Sequence, residues 1–220
     1  MAELYVNLKY GNLTKEQLAV HNQSSPFDFI AEQPRWAKAD YPEADSVQIL
    51  NELQTINEAM ASASERDIRM AREIDRNLTG WYVRNLGFAK EDVGVLEQVQ
   101  RIMKVAAPVI MKIKAANQRP RPFQTAHYLD VSFNPYATFS GQSPAYPSGH
   151  SCQARFLTLT LWQLYPELID RLNELEGQVH ESRLIMGVHY PSDIHAGVDL
   201  AEEMFDNEDI MTKVLSGMGG

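Results

Sequence analysis

Apolar residues recur at intervals of three and four positions along most of the chain from residue 46 onward, which is the spacing of one face of an α-helix. The clearest run follows Ser46 and predicts an amphipathic helix whose apolar side carries Val47, Ile49, Leu50, Leu53, Ile56, Ala59 and Met60. Residues 1–45 lack this period and are interrupted by three prolines, Pro26, Pro34 and Pro42. We therefore expect an irregular N-terminal arm over residues 1–45 and a helical domain over residues 46–220.

Two further helices are expected before residue 120. The sequence SERD at Ser64 resembles a capping box with aspartate in the place of glutamate, so the second helix should begin there and end at Thr79-Gly80. The third should cover about 91–117, with a kink at Pro108, because proline cannot supply the N–H that the helix needs.

The helical period disappears between Pro120 and Pro147, where prolines and aromatic residues are scattered without strand alternation. A stretch of this length without regular structure is typical of a lid or a binding loop. Its aromatic side chains suit either stacking on an aryl or nucleobase group or packing within the loop: Phe123, Tyr128, Phe133, Tyr136, Phe139 and Tyr146. Three helices are expected after it, at about 148–165, at about 167–187, and from a cap at Ser192 onward. With no strand pair and no repeat, the pattern predicts an all-α, single-domain helical bundle.

The composition is that of one soluble globular domain. A chain of 220 residues with 44% hydrophobic residues is long enough for one sizeable core. The longest apolar run, VAAPVIM at 105–111, is far shorter than the roughly 20 residues of a membrane span. The sequence begins MAELYVNLKYGNLT, without a basic stretch followed by an apolar one, so we expect no secretory signal and a cytoplasmic protein.

The charge limits the partners. A formal net charge of −9 argues against nucleic acid or an anionic membrane surface, because both need a broad basic surface. Any anion that the protein binds would have to meet a local cluster of cations. Cys152 is the only cysteine, which excludes an intrachain disulfide, and we expect it to be a core residue rather than a nucleophile.

The sequence PAYPSGH at 144–150 directly precedes a predicted helix. The first turn of a helix presents unpaired N–H groups and a partial positive charge, and a glycine lets a ligand approach the backbone closely. Ser148 and Gly149 would then face a bound anion, with His150 beside it. Taken alone, the same residues also suit an ordinary serine N-cap followed by a surface histidine.

Two other segments carry residues of the same chemical kind. The first is KAANQRPRP, in which Lys114 precedes Arg121-Pro122, and the second is SRLIMGVHYPSD, which holds Arg183 and His189. Each segment alone is typical of a solvated surface cation or a partly buried histidine. The first segment offers a second pair of cations as well, because Lys112 and Arg119 have the same spacing as Lys114 and Arg121. The two pairs are alternative registers of one motif.

Together the three segments resemble the type 2 phosphatidic acid phosphatase superfamily, which includes the bacterial class A acid phosphatases and the vanadium-dependent haloperoxidases. The signature of that family is K-x6-RP, then PSGH, then SR-x5-H-x3-D, and every specified position is filled here. The resemblance extends from Lys114 to Asp193 and implies a helical bundle of the acid phosphatase and haloperoxidase type. We prefer the register of Lys114 and Arg121, because family members often carry RPRPF with the second RP in the motif position.

The residue types suit phosphoryl transfer. The transferred group spreads negative charge over three oxygens, so catalysis rests mainly on positioning and on cations aimed at those oxygens. Arg121 and Arg183 each offer a planar fork of donors, and Lys114 adds a point charge. Ser148 and the N–H of Gly149 would complete this phosphate-binding set.

The histidines would carry the chemistry. His189 and Asp193 lie four apart, which lets the carboxylate accept the Nδ1 proton and leaves Nε2 as a nucleophile. By resemblance, His189 forms a phosphohistidine, and His150 is the general acid for the leaving group and then the base for water. His180 and His195 match no motif position and are expected to be structural, and no metal site emerges from the spacing of His and Cys residues.

The resemblance implies a soluble, metal-independent phosphomonoesterase that needs no cofactor and acts on a small-molecule phosphate ester. The alternative is a vanadium-dependent haloperoxidase, in which the same residues hold vanadate. A third interpretation, a phosphate-binding protein without turnover, does not account for the complete His150, His189 and Asp193 set. The sequence leaves the substrate open, and it also leaves open whether the chain forms a homo-oligomer.

Overall fold

The computed structural model describes residues 8–87 and 93–216, and all regular structure within these two ranges is helical. In chain order the α-helices are α1 Lys15–His21, α2 Phe29–Glu32, α3 Pro34–Ala37, α4 Val47–Ser62, α5 Glu65–Arg76, α6 Leu78–Asn85, α7 Val93–Asn117, α8 Pro122–Tyr128, α9 Gly149–Leu164, α10 Ile169–Ile185, α11 Pro191–Asp206 and α12 Glu208–Leu215. Short 3₁₀ turns cover Ser140–Gln142 and Pro166–Leu168. The prediction of an all-α fold is confirmed.

The centre of the bundle is α9, which packs against α11, α10 and α7. The buried face of α7 repeats at helical spacing through Val99, Ile102, Ala106, Val109 and Ile113. Each large aliphatic side chain buried in this way contributes about 1.5–3 kcal/mol. Within the described ranges, no helix is both long and apolar enough to cross a lipid bilayer.

Serine caps begin α4 and α5 at the predicted residues. The Ser46 hydroxyl accepts a hydrogen bond from the Ile49 N–H, and Ser64 forms the expected capping box with Asp67. The predicted end of the second helix is wrong, because α5 stops at Arg76 and Asn77 caps a new helix that runs through Gly80. An asparagine side chain competes for backbone N–H groups, which favours a cap over a helix interior.

The last predicted helix begins earlier than expected. Tyr190, rather than Ser192, is the N-cap of α11, and Pro191 occupies the first helical position, which proline favours. The carboxylate of Asp193 accepts the Tyr190 N–H at 3.0 Å and so completes the cap. The predicted start of the third helix near residue 91 lies outside the described residues, whereas its predicted end at Asn117 is confirmed.

Residues 8–45 contain three short helices where irregular structure was expected, so that expectation is wrong for these residues. Phe29 and Trp36 belong to the same apolar cluster as the central helices. Helices of four to seven residues are too short to show a helical period in the sequence. The segment 120–147 likewise contains α8 and a 3₁₀ turn. The boundary of the arm at residue 45 stays a prediction.

Candidate active site

The three sequence motifs meet at one cavity of about 300 Å³. Lys114 comes from α7, Arg121 from the segment before α8, and Gly149 and His150 from the start of α9. His189 reaches the same cavity from the turn before α11. Residues far apart in the chain therefore share one small, cation-rich space.

A close approach between α9 and α11 holds the two histidines near each other. A Cβ at Gly197 would lie 2.6 Å from the carbonyl oxygen of Ser148 and 3.0 Å from the Cys152 nitrogen. Only glycine allows that distance between the helices. The Ser148 N–H also donates to the carbonyl oxygen of Asp193 at 2.8 Å. The starts of the two helices are thus joined directly.

A left-handed glycine directs the chain from α10 into the site. Gly187 has φ of +70°, and a Cβ there would lie 2.8 Å from Met60 Sδ and 2.9 Å from Pro135 Cβ. The turn lets the Val188 N–H donate to the carbonyl oxygen of Arg183 at 3.2 Å. His189 then follows with its ring beside the cavity.

Arg121 is buried, and all five of its N–H groups have acceptors. Its Nε donates to the carbonyl oxygen of Ser143 at 2.6 Å, and Nη1 donates to the carbonyl oxygen of Val188 at 2.6 Å and to His189 Nε2 at 2.9 Å. Its Nη2 reaches the Ser140 carbonyl oxygen and the Ser143 hydroxyl, each at 3.2 Å. Burial lowers the pKa of Arg121 to about 10, so the guanidinium remains charged at neutral pH.

The contacts of His189 determine its tautomer. Its Nδ1 lies 3.3 Å from Asp193 Oδ2, as the spacing predicted, and its Nε2 faces Arg121 Nη1. A guanidinium can only donate hydrogen bonds, so Nε2 is the acceptor and the ring proton sits on Nδ1. Burial and the charge of Arg121 hold the pKa of His189 well below its usual value, although Asp193 raises it. The ring is therefore neutral, and its Nε2, at the cavity, carries no proton and accepts the Arg121 hydrogen bond.

Lys114 and Gly149 lie side by side at the cavity wall. The Lys114 ammonium donates to the carbonyl oxygens of Pro144 and Ala145 at 2.6 and 3.2 Å, which uses two of its three N–H groups. Burial and the neighbouring Arg121 lower its pKa well below the usual value. A Cβ at Gly149 would contact Lys114 Cε at 3.7 Å, so the glycine leaves the first turn of α9 open.

His150 lines the cavity and is partly exposed. Burial lowers its pKa well below the usual value, and the positive charges of Arg183, Lys114 and Arg121 lower the pKa further. Without an anion, His150 is therefore neutral. An acid role for His150 requires a bound anion that offsets those charges.

Arg183 is fully buried beside the cavity without lining it. Its Nη1 donates to Asp75 Oδ1 at 3.1 Å and to the Ser140 hydroxyl at 3.2 Å, whereas its Nη2 has no hydrogen-bond partner. Asp75 also accepts the Phe139 N–H at 2.7 Å, so it fixes the loop above the cavity. Asp75 was not predicted from the sequence. The one feature that could have identified it is a charged residue at helical spacing among the buried residues Ala71, Ile74 and Leu78.

Arg119, the arginine of the alternative register, lies behind Asp193 and does not line the cavity. Its Nη1 donates to Asp193 Oδ1 at 2.5 Å and its Nη2 to Glu52 Oε2 at 3.4 Å. The guanidinium is also packed 4.7 Å from the Tyr41 ring and 4.2 Å from the Tyr190 ring. Glu52 was not predicted from the sequence either. The one feature that could have identified it is a charged residue on the apolar face of α4, among Ile49, Leu53 and Ile56.

Ser148 does not face the cavity. It is buried, and its hydroxyl accepts the Ser151 N–H at 3.3 Å and shares a hydrogen bond with the Ser151 hydroxyl at 2.8 Å. The serine therefore caps α9, which was the simpler interpretation of the sequence. The residues of the PSGH motif that line the cavity are Gly149 and His150.

The other candidate side chains lie outside the cavity. His180 lies 3.3 Å from Glu176, and His195 is exposed on α11. Cys152 is buried against Met204, and burial raises the pKa of its thiol. Among the residues that the structure describes, no group of three or more His, Cys, Asp or Glu side chains is arranged to hold a metal ion.

Solved structures that share the fold include two of bacterial vanadium-dependent chloroperoxidases. The crystal structure of a holo-type bacterial vanadium-dependent chloroperoxidase matches 93% of this chain with a TM-score of 0.67 at 10% identity. An apo-type structure of such an enzyme matches 89% of this chain with a TM-score of 0.63 at 13% identity. The matches span 55% of each chloroperoxidase chain.

Comparison by sequence gives a second finding. No curated protein sequence matches the chain. A model of the PAP2 superfamily matches residues 102–202, the part of the chain that contains every motif residue of the cavity. The expected resemblance is confirmed by this match: residues 102–202 form a PAP2 superfamily domain.

Proposed function

We propose that the protein is a phosphomonoesterase that needs no metal ion and works through a phosphohistidine at His189. The observation that carries this proposal is the tautomer of His189, whose Nδ1 proton is held by Asp193 while Nε2 is unprotonated at the cavity. A neutral imidazole with its lone pair beside cations is suited to attack an electron-poor centre that carries negative oxygens.

The donors around the cavity suit the phosphoryl oxygens. Arg183 Nη2 is a buried donor without a partner, and such a group costs about 1–3 kcal/mol. Lys114 has a third N–H group, and the first turn of α9 begins at Gly149. A phosphoryl dianion would accept hydrogen bonds from the Lys114 ammonium and from the first turn of α9, and it would offset the positive charges of Arg121 and of Arg183, which lies behind the cavity lining.

The reaction follows in two displacements. His189 Nε2 attacks phosphorus, the bond from phosphorus to the ester oxygen breaks, and protonated His150 donates its proton to the leaving oxygen. Water then attacks the phosphohistidine, the P–N bond breaks, and His150 accepts the proton from water. Asp193 stabilises the positive ring of the intermediate through the Nδ1 proton. When phosphate leaves, His189 is neutral again and His150 is again protonated.

A vanadium-dependent haloperoxidase is the second candidate, favoured by the fold that the chain shares with the chloroperoxidase structures. Vanadate is also a tetrahedral oxyanion, so the third N–H group of Lys114 and the Nε2 of His189 suit it as they suit phosphate. Lys114, Arg121, Arg183 and His189 would hold it. When bound, vanadate would supply the activation of peroxide for halide oxidation.

The proposed partner is a small-molecule phosphate monoester. A cavity of about 300 Å³ is at the lower end of the size of ligand sites. The net charge of −9 disfavours a polyanion such as nucleic acid, whereas one phosphoryl group needs only the local cations.

The test is hydrolysis of an aryl phosphate by the purified protein with chelator present and no vanadate added. We expect turnover that vanadate inhibits, because vanadate copies the five-coordinate transition state that the cations are placed to meet. His189→Ala should abolish turnover, and His195→Ala, at an exposed histidine, should retain it. Negligible ester hydrolysis, together with vanadate-dependent oxidation of bromide by peroxide, would contradict the phosphatase function and support the haloperoxidase function. Binding of phosphate or vanadate without either activity would indicate an anion-binding protein without turnover.

A further inference from the structure

The cavity has an apolar wall beside its cations. Besides the motif residues, it is lined by five apolar side chains, Val20, Ala107, Ile110, Met111 and Phe139. None of the residues in this wall is charged, and polar side chains join it only at Gln17 and Gln153 and in the loop at Ser140 and Ser143. The cavity thus has a cationic part suited to an oxyanion and an apolar part that the oxyanion would not occupy.

The geometry of α7 separates the two parts. Ala107, Ile110, Met111 and Lys114 lie at helical spacing on one face of this helix. At about 1.5 Å of rise per residue, the apolar face extends about 10 Å along the axis from Lys114. Ile110 lies next to the anion site, since a Cβ at Gly149 would contact Ile110 Cγ2 at 3.4 Å. A group attached to a bound phosphoryl oxygen would therefore contact apolar side chains first.

The apolar wall of the cavity is formed on one side by α7 and on the other by α1, which packs against α7. Gln17 and Val20 of α1 both line the cavity. The Gln17 amide is already used, because its Oε1 accepts the Thr14 N–H at 2.9 Å and its Nε2 donates to the carbonyl oxygen of Gln142. Gln17 therefore ties α1 to the loop over the site, and Val20 is the α1 side chain left to contact a ligand.

The segment before α1 is also attached to the catalytic domain. The Tyr10 N–H donates to the carbonyl oxygen of Gln118 at 2.8 Å, and Gln124 Nε2 donates to the carbonyl oxygen of Tyr10 at 3.1 Å. These residues flank the arginine motif of the anion site. Helix α1 lies outside residues 102–202, the part of the chain that the PAP2 superfamily model matches.

We infer that α1 and the exposed face of α7 form a leaving-group subsite for one apolar, ring-sized group. The inference rests on the proposed phosphatase function and makes it more specific: the enzyme prefers phosphate monoesters of small apolar or aromatic alcohols to those of sugars. A sugar would bring several hydroxyl groups against apolar side chains, and each would lose hydrogen bonds to water without replacement. An aromatic ring would bury its surface there favourably.

The test measures binding without turnover. Phenylphosphonate and methylphosphonate carry the same anionic group and are not hydrolysed, so calorimetric titration of both isolates the effect of the ring. We expect phenylphosphonate to bind about tenfold tighter or more, from the apolar surface that the ring buries. In Val20→Asn the ratio should fall to about threefold or less, and Met111→Gln, on the other side of the subsite, should act in the same direction. Retained methylphosphonate affinity shows that each variant is folded.

Leu18→Asn is the matched control, because Leu18 lies on the same helix, is 44% exposed and does not line the cavity. It should keep the wild-type ratio. Equal affinity for the two phosphonates, no binding of either, or equal ratios in Val20→Asn and Leu18→Asn would overturn the subsite. Preferential binding of phenylphosphonate by a protein that does not hydrolyse phenyl phosphate would instead refute the phosphatase and retain the subsite.

Discussion

Arg119 and His189 bind the two oxygens of one carboxylate, that of Asp193. Arg119 Nη1 donates to Oδ1 at 2.5 Å, and His189 Nδ1 lies 3.3 Å from Oδ2. Burial alone would raise the pKa of Asp193, but Arg119 and the hydrogen bond from His189 hold it below its usual value. The carboxylate therefore stays charged and holds the His189 ring in one orientation, and Glu52 in turn contacts Arg119.

The first prediction concerns Arg119. Arg119→Ala leaves Asp193 and Glu52 buried without their cation, so the free energy of unfolding should fall by about 3–5 kcal/mol. Arg119→Lys should fold, but a lysine cannot reproduce the planar fork, and kcat should fall about tenfold with little change in KM. Thermal melts and steady-state kinetics measure both effects. Arg155→Lys, at a partly exposed arginine paired with Glu202, is the control and should match the wild type. An unchanged melting temperature for Arg119→Ala would contradict the account.

The second prediction concerns Asp193. In Asp193→Asn the side-chain amide can donate to Nδ1, which moves the ring proton to Nε2 and removes the lone pair from the cavity. We expect kcat to fall about 10²- to 10⁴-fold with the fold intact. Nitrogen NMR of the histidine ring should show the change of tautomer. Asp199→Asn, at an exposed aspartate of the same helix, should leave both activity and tautomer unchanged. Loss of activity without a change of tautomer would argue against the proposed role.

The third prediction compares the two lysines of the doubled motif. Lys114→Ala should cost several kcal/mol of transition-state stabilisation, roughly what the loss of a preorganised charged donor costs. Lys112→Ala should cost little, because Lys112 is partly exposed and does not line the cavity. The ratio of kcat/KM between variant and wild type gives the energy in each case. A larger loss for Lys112→Ala would move the site to the other register.

The sequence predicted the residues that line the cavity better than the residues that support them. The resemblance carried by K-x6-RP, PSGH and SR-x5-H-x3-D implied that Lys114, Arg121, His150 and His189 share one site, and all four line the same cavity. Glu52 and Asp75 come from distant helices, and only the packing of α4 and α5 against the rest brings them there. A charged residue on an otherwise apolar helical face was their one signal.

The N-terminal part was the hardest to predict. Helix α1 has seven residues and no buried side chain, so its apolar positions are too few to form a period. Its position over the cavity depends on packing against α7 and on contacts with a distant loop, such as the hydrogen bond from Gln17 to Gln142. Ser148 shows the converse case, since both of its roles were compatible with the sequence and only the direction of its hydroxyl decided between them.

The fourth prediction concerns pH. Burial and the positive charges of Arg183, Lys114 and Arg121 lower the pKa of His150 in the ligand-free protein, and a bound dianion offsets those charges and raises the pKa again. The complex thus binds more protons than the free protein, so affinity must rise as pH falls through the pKa of the complex. The charge of sulfate itself stays constant near neutrality. Its affinity should therefore increase as the pH falls from about 7.5 to about 5.5, by at most about tenfold per pH unit.

Calorimetry in buffers of different ionisation enthalpy should show proton uptake on sulfate binding. In His150→Gln the uptake should disappear while binding persists, because the cations remain in place. Affinity that falls or stays flat as pH decreases would show that His150 does not gain a proton with the anion, and the acid role would then belong to another group.

The central claim is that His189 forms a covalent bond to phosphorus. Its direct test is rapid mixing of the protein with a phosphorus-labelled aryl phosphate, followed by a quench in alkaline denaturant and peptide mapping. We expect acid-labile label on the peptide that contains His189, formed within one turnover and chased by unlabelled substrate. Steady turnover of the ester with no label on His189 at any time would contradict the account.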